Sequence, residues 1–340
     1  MKTPPRPLLL TATVLLVAGW CVAQSFDRAP GGGGFGGGRR GGGRGGRDDP
    51  NGPIVHTEGG DEVNEDTVRT ARETATHSTG FANWTNAPGF ERDVFTFTRV
   101  IWKFNPNAPR GGRGGFGGGF GGGGFGGGRG FGSSMGWVND YPDSDLNLSY
   151  RLQELTSLRT DPDARVLKLT NSELAGYPFI YMVKPGRMGL RDDEVLPLRR
   201  FLQNGGVLMA DDFWGDGEWA IFETEMKRVL PGRNWTELPI GHPLFHQVFD
   251  LRTTKEDLQV PSIHSFERTG RSYRGGEDTR ELHVRAWLDE RDRIQILATH
   301  NTDNGDGWER EGEDPEYFSR FSERRAYPLG INIIFYLMTH

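Results

Sequence analysis

Two adjacent carboxylates, Asp211 and Asp212, follow the apolar run Val207-Leu208-Met209-Ala210 and lead into Phe213-Trp214-Gly215. A buried strand that delivers two acids to its carboxyl end must resolve their repulsion with a cation, a raised pKa or a basic partner such as Arg325. A second polar group, His300-Asn301-Thr302-Asp303, ends another largely apolar run, Ile294-Gln295-Ile296-Leu297-Ala298. Asp211, Asp212, His300 and Asp303 are therefore the catalytic candidates. Carboxylates and an imidazole can divide acid and base roles, and carboxylates can hold a divalent cation. No metal is expected, and if one binds, the sequence points to Asp211 and Asp212. The competing expectation is structural, with both aspartates accepting N–H bonds of their own turn.

Loops after other strands add Asn139 and Asp140, Lys184, and the aromatic pair Phe213 and Trp214. With Asp211 and Asp212 these form the expected ligand-binding set, because open α/β sheets bind ligands outside the carboxyl ends of their strands. Other motifs carry less. Gly132-Ser133-Ser134-Met135-Gly136 spells a nucleophile elbow, but that turn needs a strand ahead of it and a glycine tract stands there instead. His242 and His246 are four apart, yet Pro243 marks a first turn, whereas a metal-binding pair of this spacing lies inside a helix. Capping or packing is expected of both.

The elements that must position these groups follow from periodicity. A β-branched and aromatic run at 94–102 reads as a strand. Leucines 146, 148, 152, 155 and 158 trace one stripe of a helix over 143–160. A strand at 165–169, a helical turn at Leu174 and a buried strand at 178–183 come next. A helix over 191–204 turns Val195, Leu196, Leu198, Phe201 and Leu202 inward and stops at Gly205-Gly206. Then come a strand at 207–210 and a helix at 218–230 capped by Asp216. This alternation predicts an α/β fold with a doubly wound, mostly parallel sheet. Runs at 282–287 and 293–300, joined by the turn Asp289-Glu290-Arg291-Asp292, predict a β-rich C-terminal section. The apolar stretch 326–339 predicts a buried terminal helix. If the last strand is antiparallel to the central ones, His300 leaves the edge that carries Asp211.

Glycine distorts the composition: of 51 glycines in 340 residues, 28 fall in the tracts 31–46 and 111–132. Outside them the chain has the makings of about one domain. Residues 1–23 combine Lys2 and Arg6, an apolar middle and the exit Cys21-Val22-Ala23, the three parts of a secretory signal peptide. Export to the periplasm or the exterior is the expectation. Cleavage after Ala23 removes two basic residues and no acid, leaving 38 basic against 46 acidic side chains and a net charge of −8. It also removes Cys21, the one cysteine, and with it disulfides, thiolate metal sites and a cysteine nucleophile. Residues 24–60 read as a disordered Gly/Arg-rich tether, 61–93 as a lead-in, and 94–340 as the folded domain interrupted by a Gly-rich insertion at 108–134. The Arg-Gly-Gly character resembles nucleic-acid-binding tails, but a tether suits an exported chain better, so nucleic acid is not the expected partner. No transmembrane span follows the signal, and no cofactor is expected.

Several stretches resemble a known family: Trp137-Val138-Asn139-Asp140-Tyr141-Pro142, Asp145-Leu146-Asn147-Leu148, Tyr177-Pro178-Phe179-Ile180-Tyr181-Met182, residues 205–215, His300-Asn301-Thr302-Asp303, and Arg325-Ala326-Tyr327-Pro328-Leu329-Gly330-Ile331-Asn332-Ile333. They look like the domain-of-unknown-function 4159 family over about 95–340. The resemblance implies a bacterial, often exported protein with a flavodoxin-like fold similar to the class I glutamine amidotransferases, and no established activity. Amidotransferases keep a cysteine on the turn that here reads Asp211-Asp212-Phe213-Trp214, so glutaminase chemistry is ruled out. The leading expectation is a non-catalytic domain that binds a ligand or an envelope partner. A hydrolase using Asp211, Asp212 and His300, with or without metal, is one alternative, and a Gly-rich surface interaction protein is another.

Overall fold

The computed structural model describes residues 52–77, 83–89, 93–105 and 136–340. The expected signal peptide, most of the tether, the Gly-rich insertion and all but the last residue of the elbow-like motif lie outside them. Within the range expected to be tether and lead-in, β1 (Ile54–His56) and β2 (Glu62–Asn64) pair as an antiparallel hairpin.

Seven further strands build one sheet: β3 (Thr98–Ile101), β4 (Arg165–Lys168), β5 (Phe179–Val183), β6 (Val207–Asp211), β7 (Trp235–Glu237), β8 (His283–Leu288) and β9 (Ile294–His300). Their order is β4-β3-β5-β6-β9-β8-β7. The first five run parallel, and β8 and β7 add antiparallel pairs at one edge. The fold is thus α/β with a mostly parallel central sheet and flanking helices. Parallel strands covered on both faces need continuous apolar sequence, and every residue of β5 and β6 is buried. The chain steps from β3 outward to β4 and then returns past β3 to β5, so the sheet changes direction between β3 and β5.

Helix α1 (Asp143–Leu155) stops short of the expected end at 160 because Thr156 turns the chain. Its Oγ1 donates to Leu152 O at 2.6 Å and accepts from Leu158 N at 3.0 Å. Helix α2 (Asp192–Gln203) buries Glu194, Leu198, Phe201 and Leu202, one face at i, i+4, i+7 and i+8. Leu196, expected inward, lies off that face and is 45% exposed. The exit from α2 needs both glycines. Gly205 has φ +110, and a Cβ on Gly206 would stand 2.3 Å from the Phe201 ring. Helix α3 (Gly215–Val229) starts directly after the acidic turn and packs on α2.

Helices α4 (Ile263–Thr269) and α5 (Asn304–Glu309) are short. The chain then runs through α6 (Pro315–Tyr317) and a π-helical segment, Phe318–Ala326, into α7 (Tyr327–Thr339). The π segment has no counterpart in the sequence reading. The first eight residues of α7 are buried as expected, whereas its end is partly exposed. The β8–β9 turn forms as read: Asp289 Oδ1 accepts from Arg291 N and Arg293 N, both at 2.9 Å. Among the described residues no helix is long and apolar enough to cross a membrane.

Candidate functional site

Strand β9 is antiparallel to β8 but parallel to β6, so its polar exit stands at the same edge as that of β6. Four residues in the connections at this edge have positive φ despite carrying side chains: Asp140 (59°), Lys184 (50°), Asp212 (54°) and Asn301 (64°). Each such conformation costs on the order of 1–3 kcal/mol and persists only where the surroundings hold it. The effect is to turn several polar side chains back over the sheet edge.

Three of those turns deliver carboxylates to one place. Oxygens of Asp140, Asp212 and Asp303 all lie within 4.8 Å of one another, and none of the three residues is more than 1% exposed. Asp212 is the best-served. Its Oδ1 accepts from Trp214 Nε1 at 2.8 Å and Arg274 Nη2 at 2.9 Å, and its Oδ2 from Asn139 Nδ2 at 3.3 Å. Lys184 Nζ sits 3.3 Å from Asp212 Oδ2 and donates to Asn139 Oδ1 at 2.6 Å. Arg274 also approaches Asp303 Oδ2 at 3.7 Å and lies 4.9 Å over the Trp214 ring. Lys184 and Arg274 are each about 30% exposed and form a cationic cover over buried acids.

The cluster holds more acid than base. Burial, then the negative charges of Asp306 and Asp212, push the Asp140 carboxyl well above its ordinary pKa. Burial followed by Asp212, Asp140 and Asp306 does the same to Asp303. Burial works against the charge of Lys184, but the carboxylates of Asp212, Asp140 and Asp303 together more than offset it and raise the pKa. Glu309, raised by burial and by Asp140, extends the acidic region toward Arg310.

The remaining candidates make their contacts elsewhere. Asp211 is a clamp between β6 and α5. It accepts from Thr299 Oγ1 at 2.5 Å, Asn304 Nδ2 at 2.8 Å, Gly305 N at 3.0 Å and Tyr181 Oη at 3.2 Å. Burial raises its pKa to about 6. His300 points to the other face of the sheet, where Nε2 meets Gly215 O at 3.1 Å and Nδ1 meets Arg285 Nη1 at 3.4 Å. Its ring packs on Phe213 and Trp219. Phe213, expected at the ligand, is wholly buried against Trp219 and Phe222. Arg325 donates to Gln259 O at 2.8 Å, so the arginine that answers Asp212 is Arg274. His242 Nδ1 accepts from Leu244 N at 3.2 Å, the capping role expected, and His246 bonds Asp250 and Ile240 O.

Sequence reasoning missed Arg274, which sits in the non-periodic stretch 269–278 and gives no signal. It also missed Arg99, which did give one: a charge inside an apolar strand needs a buried partner. Arg99 and Asp145 are both wholly buried. Arg99 Nε reaches the two Asp145 oxygens at 3.1 and 2.9 Å, and Nη1 donates to Trp137 O and Asn139 O at 2.9 Å each. The pair thereby fixes the loop that presents Asn139 and Asp140. An open groove lined by Asp250, Arg252, Arg320, Arg324 and Arg325, among others, shares no residue with the carboxylate cluster.

The sequence profile described as Domain of unknown function (DUF4159) matches residues 130–338. The chain belongs to the DUF4159 family. The matched region contains Asn139, Asp140, Lys184, Asp211, Asp212, Trp214, Arg274 and Asp303, so the whole carboxylate cluster and its cover lie within the DUF4159 domain. Arg99 precedes it. No curated protein matches the chain.

Proposed function

We propose that this DUF4159 protein is an exported, non-catalytic α/β domain that binds a small charged ligand, or an envelope partner presenting one, at the carboxyl edge of β3, β5, β6 and β9. One observation carries the reading: buried Asp140, Asp212 and Asp303 converge from separate connections under the partly exposed pair Lys184 and Arg274. Asn139 and Trp214 complete the set. The change of direction between β3 and β5 supports the same edge, since doubly wound sheets bind ligands where the strand order reverses. The order of the five parallel strands, β4-β3-β5-β6-β9, supports the flavodoxin-like, amidotransferase-like reading of the fold. A hydrolase built on Asp211, Asp212 and His300 loses support because His300 and Asp211 are each bonded elsewhere.

Thermal denaturation of the purified chain against a panel of small acids, amines, sugars and ions tests the reading. At least one member should raise the Tm of the wild type; an anionic member should lose that effect in Arg274→Ala, a substitution at a partly exposed side chain, and a cationic member in Asp303→Asn. If the wild type responds to nothing, the ligand site is abandoned. Export is read in the same preparation from the native host: the N-terminus should begin at Gln24, and an intact Met1 in the cytosol overturns it.

A further inference from the structure

We propose that Asp140, Asp212 and Asp303 together hold a hard divalent cation, the charged ligand for which the edge is built; the inference rests on the ligand-site reading above. Oxygens bound to one calcium or magnesium ion stand about 2.0–2.6 Å from it, which puts any two of them no more than roughly 5 Å apart. The three carboxylates, whose oxygens lie within 4.8 Å, meet that limit with no rearrangement. All the donors are oxygen. That selects hard cations over zinc or copper, which favour nitrogen and sulfur.

The second observation is an unanswered oxygen. Asp140 Oδ1 accepts from Asn139 Nδ2 at 2.6 Å, but Oδ2 has no hydrogen-bond partner among the described residues although Asp140 is 1% exposed. Buried polar atoms are nearly always bonded, and an exception calls for a missing water or ion. The backbone makes room for this one. A Cβ on Gly305 would lie 2.3 Å from Asp140 Oδ2, so only glycine lets α5 pass so close.

The protein's own cations do not do the work. Lys184 and Arg274 lie within 3.3 Å of Asp212, whereas Arg274 stays 3.7 Å from Asp303 and neither forms a hydrogen bond to Asp140. On its other side Asp140 lies within 4.8 Å of Glu58 and Glu309. There Arg310 already meets both, at 2.6 Å from Glu58 Oε2 and 2.9 Å from Glu309 Oε2. One guanidinium serves that side, and the cation belongs on the side of Asp212 and Asp303.

The test uses the full chain stripped with a chelator and titrated calorimetrically with Ca²⁺, Mg²⁺ and Mn²⁺ in turn. One of these should bind at a single site per chain, raise the Tm, and lose at least about tenfold in affinity in Asp140→Asn and in Asp303→Asn. Asp250→Asn, an exposed acid outside the cluster, should bind as the wild type does. A measurement on the wild type alone guards against variants that fail to fold. Terbium luminescence excited through tryptophan should appear, because Trp214 Nε1 is 2.8 Å from Asp212 Oδ1, and the binding cation should quench it by displacement. Absence of both calorimetric binding and terbium emission overturns the proposal, as does wild-type affinity in both cluster variants. If no cation binds but another compound stabilises the wild type and not Arg274→Ala, the cation falls and the ligand site stands.

Discussion

His300 shows how one step of strand alternation decides what a side chain can do. Successive side chains of a strand face opposite sides of the sheet. Thr299 Oγ1 bonds Asp211 Oδ1, so His300 must face away, into the aromatic box of Phe213 and Trp219. Burial, then the nearby Arg285 charge, lowers its pKa from the ordinary 6.5 to about 3. The unfolded chain therefore binds a proton between these values that the folded chain refuses, and stability rises with pH across the window. Its contribution is complete above the unfolded pKa and is lost as pH falls toward 3. Going from about pH 7 to about pH 5 should cost roughly 2 kcal/mol through this group. His300→Gln keeps a donor for Gly215 O without the titration, so urea denaturation at both pH values should show a pH difference smaller by about that amount. An unchanged difference would place the acid sensitivity elsewhere. Residue identity made Asp140, Lys184, Asp212, Trp214 and Asp303 legible as polar groups at strand ends. It could not say that Asp211 is consumed by α5 or that Arg274 arrives from a distant loop.

Helices α5 and α7 meet through small residues, and their packing shows why helix propensity alone misleads. A Cβ on Gly330 would stand 2.7 Å from Trp308 Cζ2, and Trp308 is wholly buried with Nε1 bonded to Ala326 O at 2.9 Å. Gly330→Ala gains up to about 1 kcal/mol of helix propensity but overpacks a fixed indole at a cost of about 1–3 kcal/mol. With the full propensity gain the net should be a loss of up to about 2 kcal/mol in chemical denaturation. Gly217→Ala, on an exposed position of α3 with no described atom within 4 Å of the added Cβ, should show the opposite sign. Equal effects at the two sites would mean that the α5–α7 contact yields to a methyl group. Elements with strong periodicity, such as α2, β5, β6 and the β8–β9 hairpin, were legible to within a few residues. The π segment Phe318–Ala326 was not, because its sequence still carries helical spacing and nothing local marks the longer hydrogen-bond step.

At the scale of the molecule, the second glycine tract joins two chain positions that are already neighbours. A Cβ on Gly136 would lie 3.2 Å from the Phe104 ring, one residue before Asn105. Loop closure entropy grows slowly with length, so shortening residues 106–135 about fourfold should raise stability by only about 1 kcal/mol. Calorimetric melting checks this, and a large loss would show that the tract contributes contacts of its own. The sequence by itself determined the class of fold, the order of its main elements, the family and the edge at which polar residues collect. Those are local properties, fixed by apolar periodicity, turn residues and composition. Only the tertiary structure decided which of the polar residues meet. Strand order set β9 beside β6 in parallel, side-chain alternation sent Thr299 rather than His300 to Asp211, and the loop after α4 supplied Arg274. Asp140, Asp212 and Asp303 are separated by 72 and then 91 positions in the chain, and their approach to within 4.8 Å is a consequence of three strands ending at one edge, which no local pattern encodes.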